Sequence, residues 1–88
     1  MAKPQNFFLD QLAPGAPAVV SELQGGRGFA SRLAGMGISI GCQIEVLQNP
    51  ARGPLLVRVR DTRIALGRGE ASNILVRHSE KGQPDATE

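Results

Sequence analysis

A small, mainly β barrel of five short strands is the architecture we expect from these 88 residues. The length leaves room for one hydrophobic core only. Eleven glycines and six prolines are spread through the chain and divide its aliphatic segments into short pieces. Several of these pieces alternate apolar and polar residues, which is typical of half-buried strands joined by tight turns. Closure into a barrel would remove the exposed edges of such a sheet.

Residues 1–8 are expected to form an N-terminal extension of the domain. Four nearby apolar side chains are expected to pack on the domain: Phe7, Phe8, Leu9 and Leu12. Asp10 is expected to cap a short turn that ends before the turn signal at residues 14–15. The β-branched segment 18–23 then predicts the first strand.

One segment has helical periodicity. Phe29, Leu33 and Met36 recur at positions i, i+4 and i+7, which predicts one face of a helix of about two turns. Gly37 follows and suits the left-handed position after a helix end, where a Cβ atom would be unfavourable. Ile38 is expected to make the apolar contact that accompanies such an end.

Four further strands are predicted after the helix, at residues 42–47, 55–60, 63–66 and 73–77. Residues 61–62 are expected to form a hairpin turn, and residues 67–72 are too few for more than one helical turn. The domain is therefore expected to span residues 9–77. Residues 78–88 are polar, lack apolar periodicity and are expected to form a disordered tail.

The composition argues against several classes of protein. No segment approaches the roughly 20 apolar residues of a membrane span, and the first residues lack the apolar stretch of a signal peptide. The single cysteine, Cys42, excludes an internal disulfide framework and a thiolate zinc cluster, so a cytoplasmic location is expected. Three phenylalanines, without tyrosine or tryptophan, make a nucleic-acid-binding barrel the weakest alternative, because base stacking needs exposed aromatic rings.

No catalytic or metal-binding set of residues is recognisable, so we expect neither enzyme activity nor a cofactor. His78 is the only histidine, and a metal-ligand role together with Glu80 is one interpretation of it, beside that of an exposed histidine in the tail. An adventitious divalent ion could bind at His78 or at surface carboxylates. A specific transition-metal site usually needs three or four protein ligands. Cys42 is expected to act as a small core residue rather than a reactive thiol. The glycine-rich segment 25–28 is expected to be a strand-to-helix turn, because it lacks the lysine and hydroxyl residue of a phosphate-binding loop.

The net charge of +2 conceals an uneven distribution. Between residues 52 and 77 the only acidic residues are Asp61 and Glu70. Six arginines share this stretch: Arg52, Arg58, Arg60, Arg63, Arg68 and Arg77. Two interpretations remain open, a basic surface that meets an acidic partner and an ordinary solvated strand face.

Five segments together resemble the FeoA, or ferrous iron transport protein A, family. They are residues 32–38, 41, 44–47, 53–59 and 63–76, which read RLAGMGI, G, IEVL, GPLLVRV and RIALGRGEASNILV. The resemblance covers about residues 12–77 and lies in the order and spacing of the segments. Two positions depart from the family pattern, since Ile40 stands where proline is frequent and Asp61 where glycine is frequent.

The resemblance implies a small SH3-like five-stranded barrel with one short inserted helix and a short helical turn. It implies a cytosolic accessory component of bacterial ferrous iron uptake. The implied partner is the membrane transporter FeoB, which carries a cytosolic GTP-binding part, so that contact with the membrane would run only through this partner. The alternative is a transition-metal-binding carrier or sensor, for which the sequence supplies no convergent ligands.

A partner-binding surface is expected at the 48–54 loop, on the arginine-bearing strand face and at the helix end. The candidate residues are Arg32, Met36, Arg52, Arg58, Arg60 and Arg63. SH3-like barrels often bind extended peptides in aromatic-lined grooves, and here aliphatic and arginine side chains would have to replace the rings. Arg32 could equally have a structural role between helix and loop. A homodimer, through a barrel edge or the Phe7–Phe8 pair, also remains open.

Overall fold

Residues 6–79, which the computed structural model describes, form one antiparallel sheet with two short helices. The strands are β1 (Asn6–Phe8), β2 (Pro17–Leu23), β3 (Gln43–Gln48), β4 (Leu55–Val59), β5 (Thr62–Leu66) and β6 (Ile74–His78). Helix α1 (Gly26–Ala34) lies between β2 and β3, and the single turn α2 (Arg68–Ala71) lies between β5 and β6. A 3-10 turn (Leu9–Gln11) follows β1. The mainly β fold with one inserted helix and a short helical turn is thus confirmed.

The expected strand number was wrong, because the described residues form six strands. The additional strand is β1, which pairs with β6 with Phe7 opposite Val76. Part of the predicted N-terminal extension, residues 6–8, therefore belongs to the sheet. Three residues are too few to show an alternating pattern, so this strand left no signal in the sequence.

The expected closure of the barrel is also not formed by strand pairing within residues 6–79. The strand order is β1-β6-β2-β3-β4-β5, which leaves β1 and β5 at opposite ends of the sheet. Register shifts occur in the β2–β6 pair, between Val20 and Glu22, and in the β3–β4 pair, between Val46 and Gln48. Such bulges bend a strand and increase its twist. The sheet is therefore curved, and side chains of α1 help to cover its concave side.

The core is a single aliphatic cluster, as the alternation predicts. It contains Leu9, Leu12, Ala18, Val20, Phe29, Leu33, Ile38, Ile44, Val46, Leu55, Val57, Val59, Leu66, Ala71, Ile74 and Val76. Phe29 is its only aromatic member among these buried residues. Every polar side chain of the described part of the chain reaches the surface at least partly. Within residues 6–79, the polar groups available for binding therefore lie at the surface.

The end of α1 has the predicted geometry. Gly37 has a φ angle of +91° and donates its N–H to the carbonyl of Ala34 at 3.0 Å. The N–H of Ile38 bonds the carbonyl of Leu33 at 2.9 Å, and both side chains are fully buried. These two hydrogen bonds form a Schellman motif with its apolar contact. The motif fixes the direction in which the chain leaves the helix toward β3.

His78 belongs to the sheet rather than to a tail. It is the last residue of β6, opposite Ala18, and its ring packs edge-on against Phe7 with the ring centroids 4.9 Å apart. The N–H of Ser79 bonds the carbonyl of Pro17 at 3.1 Å. The rest of the tail predicted at 78–88, and residues 1–5 of the predicted extension, lie outside the described residues. The domain limits of 9–77 stay a prediction.

Candidate functional site

The six residues predicted to bind a partner lie at three places. Arg58 and Arg63 are directly opposite each other on β4 and β5, and Arg60 lies in the hairpin between them. Arg52 lies in the loop at the other end of β4, a strand about 17 Å long. The remaining two, on and just after α1, form the third place. The structure therefore unites only half of the predicted set.

Arg58 and Arg63 form part of a row of charges across the sheet. Glu45, Arg58 and Arg63 occupy matching positions on β3, β4 and β5. The Arg58 guanidinium bonds the Glu45 carboxylate. Among the described residues, Arg63 has no carboxylate within ion-pair distance. The row therefore carries an unbalanced positive charge at Arg63. This charge lies directly opposite Arg58, and like charges in such a position are unfavourable.

A groove lies beside this row, between the start of β2 and the strands β3 and β4. It has a volume of about 240 Å³ and is lined by Pro17, Ala18, Gln43, Ile44, Glu45, Arg58, Arg60 and Ser79. A second hollow, of about 310 Å³, adjoins it and is lined by Gly41, Cys42, Gln43 and Arg60. Arg60 and Gln43 line both hollows. This basic, open surface is suited to an extended segment that carries carboxylates.

Arg60 is held in an uncommon backbone conformation. The turn between β4 and β5 contains only Arg60 and Asp61, and Val59 lies opposite Thr62. Two-residue hairpins of this kind require a positive φ at the first turn position, and Arg60 has a φ of +58°. A side chain in this region costs about 1–2 kcal/mol relative to the right-handed conformation. An arginine thus occupies a position whose backbone conformation favours glycine.

Replacing Arg60 by glycine is expected to raise the free energy of unfolding by about 0.5–1 kcal/mol, because relief of strain exceeds the added entropy of the unfolded chain. Urea unfolding followed by circular dichroism measures this change. The matched control is Arg60→Ala, which removes the guanidinium and keeps the strain, and which should not stabilise. Equal stability of the glycine and alanine variants would contradict the interpretation of strain.

The side chains at the third place make contacts within the domain. Arg32 forms an ion pair with Glu70 of α2 at 3.4 Å, and its guanidinium lies 5.7 Å from the centre of the Phe29 ring. Glu70 also accepts the N–H of Gly67, at 3.2 Å, at the start of α2. Met36 is half-buried against the core. Of the two roles left open for Arg32, the contacts correspond to the structural one, between α1 and α2.

Sequence reasoning missed the role of Arg68. Its guanidinium donates to the side-chain oxygen of Asn49 at 2.8 Å, to the carbonyl of Gly53 at 3.1 Å and to the carbonyl of Pro50. The sequence does not distinguish Arg68 from the other arginines, because its hydrogen-bond partners lie 15–19 residues earlier in the chain. It fastens α2 to the 49–53 loop, and Arg52 lies exposed on this fastened loop.

Metal-ligating side chains do not converge in the described part of the chain. No group of three or more His, Cys, Asp or Glu residues within residues 6–79 could hold a metal ion. His78 packs against Phe7, and Cys42 is a half-buried residue packed on the core. In the same residues, no helix is long and apolar enough to cross a membrane.

Comparisons with known proteins identify FeoA proteins by family model, by sequence and by structure. The FeoA domain model matches residues 8–78. A Methanocaldococcus jannaschii protein that carries the name Fe(2+) transport protein A is 37% identical over 68 residues, which are 77% of this chain and 82% of that protein. The chain is similar to a crystal structure of the iron uptake regulatory protein FeoA, with a TM-score of 0.81 and 31% identity over 85% of this chain and 100% of the other.

A further similar structure is FeoA of Stenotrophomonas maltophilia, solved in complex with zinc and described as a procaryotic SH3 domain protein. Its TM-score is 0.68, with 33% identity over 77% of this chain and 86% of that chain. The similarity confirms the SH3-like character expected of the fold. With the family model matching from the last residue of β1 to the end of β6, the chain belongs to the FeoA domain family.

Proposed function

We propose that this protein is a cytoplasmic accessory component of ferrous iron uptake that binds the cytosolic, GTP-binding part of a FeoB-like membrane transporter. Its relatives carry names that refer to Fe(2+) transport and iron uptake. The observation that carries the proposal is the open groove lined by Arg58 and Arg60. Its positive charge favours an acidic partner surface.

The surface chemistry supports binding rather than catalysis. Arg60 is exposed, lines the groove and has no carboxylate at ion-pair distance among the described residues. Arginine is enriched in binding hot spots because its planar guanidinium can bond two carboxylate oxygens at once. The protein would influence the transporter by positioning it, since no side chain in the groove supplies chemistry for GTP hydrolysis.

The alternative, a transition-metal carrier or sensor, draws on the zinc complex of the Stenotrophomonas maltophilia relative. Such a carrier needs three or four converging ligands for specific binding. Residues 6–79 bring no such group together. Equilibrium dialysis of the purified protein against ferrous iron tests this alternative, and tight stoichiometric binding that His78→Ala abolishes would favour it over the proposed interaction.

Reversing the charge of Arg60 is expected to weaken binding to the purified cytosolic part of the transporter about tenfold at low salt, measured by isothermal titration calorimetry. The reason is the loss of attraction between the groove and acidic groups of the partner, which salt screens. Arg60→Glu leaves every ion pair of the described residues intact. The double variant with Arg58→Glu should bind more weakly still.

The matched control is Arg27→Glu, which makes the same charge change at an exposed position of α1. Its affinity should stay within about twofold of the unaltered protein, because Arg27 lines neither the groove nor the hollow beside it. No binding by the unaltered protein would refute the proposed function. Equal affinities of Arg60→Glu and Arg27→Glu would refute the groove as the contact.

A further inference from the structure

Strand β5 has an unused row of backbone hydrogen-bonding groups. In a two-residue hairpin, the residues that flank the turn exchange hydrogen bonds, and along an antiparallel pair every second residue does so. Here Val59 and Thr62 flank the turn, so Thr62, Ile64 and Leu66 bond to β4. The N–H and C=O groups of Arg63 and Ala65 consequently point away from β4, toward the outer edge of the sheet.

This edge is regular and uncovered by backbone within the described residues. Strand β5 lies at the end of the strand order, and its pairing with β4 has no register shift over five residues. Neither Arg63 nor Ala65 takes part in a backbone hydrogen bond of the turns and loops. The strand contains no proline, and neither a bulge nor a proline therefore blocks its edge. Natural sheets usually obstruct such an edge, because it is a template for another strand.

The charges on the outer face indicate what chemistry the additional strand should bring. The row across the sheet consists of Glu45, Arg58 and Arg63. The negative Glu45 pairs with the positive Arg58, but Arg58 is followed by a second positive residue, Arg63. Arg58 and Arg63 form a pair that does not exchange backbone bonds, the type in which side chains come closest. The next position in the row, on a strand added beside β5, would lie against Arg63. A carboxylate at that position would offset the repulsion between the two arginines.

The neighbouring positions fit an extended chain. Ala65 is exposed and has a side chain of one carbon, so an incoming strand meets little bulk on the outer face. On the opposite face, Ile64 is half-buried at the margin of the core and offers an apolar contact. An acidic residue on one face and an apolar residue on the other, in alternation, is the pattern that this edge would select.

We propose that the β5 edge binds an extended acidic segment of the partner as an added strand, with a carboxylate against Arg63. The backbone groups of Arg63 and Ala65 supply the hydrogen bonds, and Arg63 supplies the charge preference. The identity of the partner rests on the proposed function above, whereas the edge and its preference rest on the strand order and register.

Amide hydrogen exchange measured by NMR tests the edge directly. The probe is a capped seven-residue peptide in which glutamate alternates with valine, and the control peptide has lysine in place of glutamate. In the free protein, the amides of Arg63 and Ala65 should exchange faster than those of Ile64 and Leu66, which are bonded to β4. At saturating glutamate peptide, we expect both edge amides to exchange at least tenfold more slowly, with little change from the lysine peptide.

Two variants test the same inference by affinity. Ala65→Pro removes an outward N–H group without removing a bond to β4, and edge strands tolerate proline. It should weaken peptide binding at least tenfold, whereas Ala65→Thr, which keeps the N–H group, should bind like the unaltered protein. If Ala65→Pro does not fold, Arg63→Glu replaces it. This variant should invert the preference between the glutamate and lysine peptides.

The transporter's cytosolic part is then the second probe, and its outcome separates the two proposals. Slower exchange of the edge amides with both probes supports both proposals. Protection by the peptide without binding of the transporter part supports the edge and refutes the proposed function. Binding of the transporter part that leaves the edge amides unprotected overturns the edge inference and leaves the proposed function standing. If neither probe binds, both are overturned.

Discussion

Replacing Leu33 by alanine is expected to lower the free energy of unfolding by about 3 kcal/mol, within the range for leucine in a well-packed core. Leu33 is fully buried, and it lies in the α1 face that covers the concave side of the sheet. The loss combines removed apolar surface with the cavity that remains. Since domains of this size are stable by about 5–10 kcal/mol, a third or more of the total would disappear. Urea unfolding followed by far-ultraviolet circular dichroism measures it.

The matched control for this substitution is Ile40→Ala. Ile40 follows the same helix, has a side chain of equal size and is 64% exposed. Removing it should change stability by less than about 0.5 kcal/mol, as is usual for surface substitutions. Similar losses in the two variants would contradict the assignment of Leu33 to the core.

The parts of the fold that follow from local pattern were predictable. Leu55, Val57 and Val59 alternate with outward residues, and all three are buried on β4 as expected. The end of α1 was equally predictable, because Gly37 follows the last apolar residue of a helical pattern and adopts the left-handed conformation that the motif requires. In each case the cause acts within a few residues along the chain.

The parts that depend on distant contacts were not predictable. The pairing of β1 with β6 joins residues about 70 positions apart, such as Asn6 and Arg77, and the local sequence around either residue does not indicate it. Packing of His78 on Phe7 depends on that pairing. The open order of the sheet, which makes β5 an edge, is likewise a property of the whole topology.

The candidate site shows the same division. Alternation placed Arg58, Arg60 and Arg63 on one outer strand face, and Arg58 and Arg63 do lie opposite each other. Arg60 instead belongs to the turn, because β4 ends at Val59. The alternating pattern could not identify Glu45 as the partner of Arg58, because their opposite positions depend on the register between β3 and β4. The difference between a paired and an unpaired arginine, from which the β5 proposal starts, is therefore visible only in the structure.

Replacing Asn49 by alanine is expected to lower the free energy of unfolding by about 2 kcal/mol, although Asn49 lies in a loop. Its amide donates to the carbonyls of Asp10 and Leu12, at 3.0 and 2.8 Å, and its oxygen accepts from Arg68 at 2.8 Å. One side chain thus joins the N-terminal turn, the 49–53 loop and α2. Alanine leaves these groups without their partner, and water replaces it only in part because the amide is half-buried.

Unfolding in urea of Asn49→Ala beside Gln48→Ala measures the effect, since Gln48 is an exposed neighbour with the same functional group. The glutamine variant should lose less than about 0.5 kcal/mol. Asn49→Asp keeps the acceptor for Arg68 and loses both donated bonds. We therefore expect its free energy of unfolding to fall by at least half as much as that of Asn49→Ala. If Asn49→Asp is nearly as stable as the unaltered protein, the contact with Arg68 provides the stabilisation, and the two donated bonds do not. Combining Asn49→Ala with Arg68→Ala should then cost less than the sum of the single losses, because the two residues share one network.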